Sequence, residues 1–214
     1  KLLETYQMGN ALNASYEHSD SIFFDNRKPS GQHHFYNIFF AIRNFRISTF
    51  DYYNYQTRKI TRRKVQPLAL KESKDRWYLI AVDTKDQKLK TFGLDRISNL
   101  SVTDKTYTND YDYNFREYFK NAFGVMKLDK QSPEKIVIEC TLQQGEYIMG
   151  FPLHHSQKVI REEGKSIFFE FFLHPTYDFL QEILSYGKEV KVLEPQSLIR
   201  DIKTHLMESL KNYI

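Results

Sequence analysis

The feature that most constrains this chain is a succession of strand-like stretches between positions 47 and 103. Five of them (47–55, 60–70, 76–83, 89–92 and 97–103) follow one another across short polar breaks such as 71–75 and 84–88, with no helical spacing between. Strands this close in sequence pair antiparallel with their neighbours, because no crossover helix is available, and five of them predict a small barrel. Pro67 then belongs near a bend or an edge, since it brings no N–H to a ladder. In the third stretch Trp77, Leu79 and Ala81 share one face while Tyr78, Ile80 and Val82 share the other. A strand apolar on both faces is covered on both sides, which gives Trp77 and Tyr78 a packing role before any other.

Helical spacing flanks this region. Phe35, Ile38, Phe39 and Ile42 fall at i, i+3, i+4 and i+7, residues 2–13 also read as a helix, and 25–31 have the Asn, Pro, Ser and Gly of a loop. The expected organisation is α+β: a helical connector over 1–33, the barrel over 34–115, and a second unit over 116–214. A polar linker, 103–114, leads into the second unit. That unit reads as strand 135–142, short helix 146–151, a hairpin of 157–162 and 166–173 around Gly164, a helix opened by Pro175 and ended by Gly187, and strand 190–193. Tyr177, Leu180, Ile183 and Leu184 are expected to form the buried stripe of that helix. Pro195 then starts a terminal helix with Ile199, Ile202, Leu206 and Leu210 on one side. The βαββαβ order is that of a ferredoxin-like, split βαβ sheet.

The densest charge lies at 58–64, where Arg58, Lys59, Arg62, Arg63 and Lys64 stand without an acidic residue among them. On a strand Arg63 shares a face with Val65, and Arg62 with Lys64. Such a cluster either protects an edge strand or binds phosphates. The net charge of +4 is too small to decide between them. The single cysteine, Cys140, lies in an apolar stretch and excludes an intrachain disulfide, which fits a reducing, cytoplasmic setting. No metal site is expected, because the adjacent pairs His33–His34 and His154–His155 cannot chelate together. No glycine-rich phosphate loop, membrane-length apolar run or assembled catalytic constellation is present, so neither a cofactor, a membrane partner nor an enzyme is expected. The aromatic-dense residues 107–123 read mainly as junction packing, with base stacking as the lesser alternative. A chain starting at Lys1 reads as a fragment or a processed product.

Four ordered blocks carry a resemblance: Phe50-Asp-Tyr52; Arg63-x-Val65-x-Pro67-x-x-Leu70; Arg76-Trp77-Tyr78-Leu79; and Thr91-Phe92-x-Leu94-Asp95-Arg96-Ile97. Together they resemble the WYL domain of bacterial transcriptional regulators, whose name is spelled here by Trp77-Tyr78-Leu79. Phe123-Gly-Val125, Pro152-Leu-His-His155-Ser-Gln157, Ile183-Leu-Ser-Tyr-Gly187 and Val192-Leu-Glu-Pro195 resemble the C-terminal extension that follows such domains. The resemblance implies an Sm-like (SH3-type) five-strand barrel with a ligand pocket of basic and aromatic side chains. Its residues, carried over by position and joined by Arg62 from the basic cluster, would be Tyr52, Arg62, Arg63, Trp77, Tyr78 and Arg96. Many members have an arginine between Phe92 and Leu94, where this chain has Gly93, which would weaken a bidentate phosphate contact.

The function implied is a ligand-sensing module of a DNA-binding regulator. Its effector would be single-stranded DNA, another oligonucleotide or a nucleotide. Operator DNA would be met through an upstream helix-turn-helix that this sequence does not include. A homodimer is expected, because symmetric dimers suit palindromic operators. A protein–protein interaction module on an SH3-like barrel is the alternative; it has no need of five clustered cations.

Overall fold

The computed structural model describes residues 30–108, 110–126 and 132–214. The expected helix over 2–13, and all but residues 30 and 31 of the expected loop at 25–31, lie outside the described residues. From Gly31 to Ile214 the chain forms one compact unit holding two antiparallel sheets.

The first sheet is built from β1 (Arg46–Asn54), β2 (Lys59–Ser73), β3 (Arg76–Asp83), β4 (Lys88–Gly93) and β5 (Ile97–Thr106), in the order β4-β3-β2-β1-β5. All five expected strands are present. The two edge strands are joined by a 3-10 turn, Leu94–Arg96, rather than by a ladder. The long β2 serves two neighbours: its first half pairs with β1 as far as Val65, and its second half with β3 from Val65 onward. Pro67 sits just past the β1 ladder, where no donor is required, and the β2–β3 register shifts between Pro67 and Ala69. Helix α1 (Phe35–Arg43) closes one side of the core, packing Ile38 with Phe50, Val65, Leu79, Ala81, Phe92 and Leu94 and burying Ala41. Of the expected helical stripe, Phe39 is largely exposed, and Ala41 takes the buried place.

Both faces of β3 are covered, as its double apolar pattern requires. Leu79 and Ala81 lie in the first core, while Ile80 and Val82 are equally buried on the reverse. Residues 107–108 and 110–126, with the one-turn helix α2 (Phe115–Tyr118), tie the reverse side of the sheet down. The Tyr107 hydroxyl donates to the Pro67 carbonyl, Tyr111 donates to the Gln66 side chain, and the Lys71 ammonium lies over the Phe119 ring. Tyr111, Tyr113 and Phe115 stack in succession at 5.8 and 5.5 Å between ring centres.

The second sheet runs β7-β8-β6-β9, from β6 (Glu134–Thr141), β7 (Lys158–Glu163), β8 (Ser166–Leu173) and β9 (Val190–Glu194). Helix α3 (Leu142–Gly150) links β6 to β7, and α4 (Tyr177–Ser185) links β8 to β9. This is the split βαβ arrangement, with each helix returning the chain two strands away. Alternate residues Ile136, Ile138 and Cys140 of β6 and Ile167, Phe169 and Phe171 of β8 form one continuous apolar face. Phe179, Leu180 and Ile183 of α4 cover it, with Leu198 of the terminal helix α5 (Gln196–Lys211).

One stripe assignment needs correction: Tyr177 is exposed, and Phe179, on the other edge of the stripe, is buried instead. In α5 only the first two turns meet the sheet: Leu198 is buried and Ile199 and Ile202 pack against the core, whereas Leu206 and Leu210 extend past it and are more than half exposed. Among the described residues, no helix is long and apolar enough to cross a membrane.

Candidate functional site

The Leu94–Arg96 turn is fixed from outside the sheet. Gly31 adopts a left-handed φ of 84°, and a Cβ there would collide with the Leu94 carbonyl, so the close backbone approach needs glycine. Three residues on, buried His34 places its Nε2 3.0 Å from the Ile97 carbonyl oxygen. Burial lowers the pKa of this imidazole, which is therefore neutral and donates its Nε2–H to that oxygen.

Arg96 projects from the turn with its guanidinium 5.1 Å from the Tyr52 ring centre and 5.2 Å from that of Tyr55. Tyr52, buried at the end of the core, accepts the Gly93 N–H at 3.3 Å. Its burial raises the phenol pKa, and the Arg96 charge opposes that shift. Tyr55 donates its hydroxyl to Asp95 at 3.3 Å. The same carboxylate lies 3.9 Å from both Arg76 and the Nε of Arg96. Tyr78 pairs across the ladder with Gly93; burial raises its pKa, and it senses the charges of Arg76, Asp95 and Arg96. Two guanidiniums thus share one carboxylate at a longer distance than a close ion pair, and the Arg96 Nε is buried without a hydrogen-bond partner among the described residues. A surplus cation flanked by tyrosine rings can accept an anionic oxygen and a flat ring together.

Gly93 has a local explanation. A Cβ there would stand 2.5 Å from Asp95 Oδ1 and 3.0 Å from an Arg96 nitrogen. The space that a larger side chain would need is taken by these two neighbours.

The remaining expected residues lie elsewhere. Arg63 donates to Asp83 at 3.0 Å and to Thr61 at 3.1 Å; Asp83 also receives Lys90 at 2.8 Å, and Lys90 reaches Asp86 at 2.7 Å. Burial works against the Asp83 charge, yet the hydrogen bonds from Lys90, the Lys85 N–H and Arg63 hold its carboxyl below the ordinary range. Two cations there meet two carboxylates, so the group is neutral. Arg62 points to the other face, where it donates to Asp51 at 3.1 Å and to Thr49 at 2.9 Å, while Asn99 also donates to Asp51. Trp77 packs edge-on against Phe35 of α1 at 4.7 Å and borders the core. The structure therefore brings Tyr52, Tyr78 and Arg96 together and sets Arg62, Arg63 and Trp77 apart from them. Sequence reasoning missed Tyr55 and Arg76 as members, although Arg76 stands inside a quoted block; Asp95 was legible only as an acid able to neutralise Arg63 or Arg96.

The motif at 152–157 is a side-chain lock. Ser156 N–H donates to His154 Nδ1 at 3.2 Å, leaving Nε2–H for the Lys120 carbonyl at 3.0 Å. Burial, with His155 beside it, lowers the His154 pKa to about 4, which fixes this neutral form. The Ser156 hydroxyl accepts the Phe172 N–H, and Gln157 bonds both Leu153 and Ile148. Among the described residues no cluster of three His, Cys, Asp or Glu could hold a metal ion.

A five-stranded sheet with a cationic, tyrosine-flanked turn, joined to a split βαβ unit, defines an α+β fold. Residues 33–102 match the WYL domain and residues 132–210 the WCX domain, so the chain carries a WYL domain followed by a WCX domain. No curated protein matches the chain. Among solved structures it is similar to proteasome accessory factor B/C (PafBC) of Arthrobacter aurescens, at 19% identity and a TM-score of 0.37, over 90% of this chain and 29% of that one. It is also similar to a CRISPR Cas-related protein, at 15% identity and a TM-score of 0.49, over 80% of this chain and 48% of that one. The chain thus spans less than half the length of either structure.

Proposed function

We propose that the chain is the ligand-sensing part of a bacterial transcriptional regulator, and that it binds a nucleic-acid or nucleotide effector at the Arg96 cluster. The observation that carries this reading is the uneven charge balance. Arg62 and Arg63 are matched by Asp51 and by Asp83, whereas among the described residues Arg76 and Arg96 share Asp95 alone. An effector phosphate at Arg96 would supply the missing anion, and Tyr52 and Tyr55 flank the position a base would take. Binding rather than catalysis is the role such a cluster supports, since it offers charge and stacking but no nucleophile paired with a base. The proposed regulator is cytoplasmic, works as a homodimer, and meets operator DNA through a helix-turn-helix outside this sequence.

Titration of a labelled single-stranded oligonucleotide tests the assignment. Arg96→Ala is expected to weaken binding by about 1.5–3 kcal/mol, as for hydrogen bonds to charged groups. Arg62→Ala is expected to leave affinity within about 0.5 kcal/mol, as for a surface change away from the site. The opposite pattern would move the site to the outer face of β2.

A further inference from the structure

A cavity lies between the β2–β3 hairpin and helices α3 and α4. It encloses about 660 Å³, within the range of small-molecule sites. The β2–β3 hairpin supplies Lys71 and Lys74 to its wall; α3 and the residue that caps it supply Gln144, Tyr147 and Phe151; and α4 supplies Glu182.

Two features make it more than a crevice. The first is a free cation. Lys74 is already committed, 2.6 Å from Glu182, which also accepts the Tyr186 hydroxyl at 2.7 Å. Lys71 has no carboxylate within ion-pairing distance among the described residues, and its ammonium lies 5.4 Å from the Phe119 ring centre. Partial burial lowers its pKa, opposed only in part by the neighbouring Glu72 charge. The second is aromatic exposure. Tyr147 is 68% and Phe151 83% exposed; Tyr147 lies in the last turn of α3 and Phe151 is the non-helical residue that caps it. Large rings left this open beside a cavity are stacking surfaces.

We infer that this cavity is a second binding site, and that its ligand is a nucleoside monophosphate. A phosphate answers the unpaired amine of Lys71, and a base answers Tyr147 and Phe151, with Gln144 in the same wall to hydrogen-bond its edge. Lys74 and Glu182 neutralise each other, and Asp75 in the same wall adds a negative charge, which disfavours longer polyphosphates over a single phosphate group. The hairpin turn that carries Lys74 holds both central residues, Lys74 and Asp75, at positive φ (50° and 62°), so a ligand here touches a constrained turn of one sheet and the helices of the other. The inference goes beyond the sensing reading, which needs only the Arg96 cluster, and the two can fail separately.

Calorimetric titration of the 214-residue chain with adenosine 5′-monophosphate, adenosine and inorganic phosphate tests it. The monophosphate is expected to bind at least about tenfold more tightly than either fragment. Lys71→Ala should weaken it about tenfold or more, as for loss of a charged hydrogen bond. The double variant Tyr147→Ala, Phe151→Ala, which alters only exposed rings and leaves the cores intact, should weaken it to a similar extent. No binding of the monophosphate to the unaltered chain would overturn the inference while leaving oligonucleotide binding at Arg96 untouched. Monophosphate binding that survives both variants but is lost in Arg96→Ala would also overturn it.

Discussion

Arg63 and Arg96 look alike in the sequence, each a basic residue beside the Trp77-Tyr78-Leu79 block, and the structure gives them different surroundings. Arg63 is bonded to Asp83, a carboxylate only 2% exposed. Arg63→Ala removes one of that acid's two cationic partners, and with Lys90 retained the expected cost is about 1–3 kcal/mol of stability. Chemical denaturation checks this, and the folded variant should bind oligonucleotide as before. Cys140 offers a second residue-level test. It is fully buried, and burial pushes its thiol pKa up to about 12, so a thiol reagent at pH 8 should leave it intact until denaturant exposes it. Rapid labelling of the native protein would contradict the packing described. The apolar setting of Cys140 was legible from its neighbours 136–139. Asp83 and Asp95 could be picked out as acids able to neutralise Arg63 or Arg96, but not which meets which, because Asp83 lies twenty residues from Arg63; nor was Tyr55 legible, more than forty residues from Arg96. Strand register, which a local pattern does not encode, brings them together.

At the level of elements, alternation located the strands well, because a half-buried sheet imposes period two directly on the sequence. Helix faces were less legible. The apolar spacing of α5 continues for two turns beyond the sheet it packs on, and periodicity cannot show where the partner surface ends. The 152–157 turn was visible as a motif but not as a device. Its His154 makes a prediction with a definite sign. The folded-state pKa is about 4, below the ordinary 6.5, so between these values the unfolded chain takes up a proton that the folded chain refuses. Stability from this group is complete above about pH 6.5 and is lost as pH falls toward 4. Solvent reaches part of the ring, which reduces the loss to about 1–2 kcal/mol. Urea midpoints measured across this window should fall more steeply for the unaltered chain than for His154→Gln. Parallel curves would show that the imidazole is not held neutral.

For the whole molecule, the proposed dimer and the proposed effector site make separate demands. Leu206, Met207 and Leu210 are 53–59% exposed on the outer turns of α5, and Tyr213 and Ile214 extend the apolar surface beyond it. If a second copy covers this stripe, Leu206→Glu with Leu210→Glu should convert the dimer to monomer in sedimentation velocity, since burying each leucine is worth about 1.5–3 kcal/mol. A chain that is monomeric before substitution at high micromolar concentration would rule out dimerisation through this fragment. The effector site is the central claim, and its electrostatics give the most direct test. Each phosphate contact on a single strand contributes about 0.7 to the slope of log K against log salt, through released counterions. Measured from about 50 to 200 mM salt, the unaltered chain should show a negative slope that flattens by about 0.7 in Arg96→Ala and is unchanged in Arg63→Ala. Equal slopes for the unaltered chain and Arg96→Ala would contradict the assignment of phosphate binding to the Arg96 cluster.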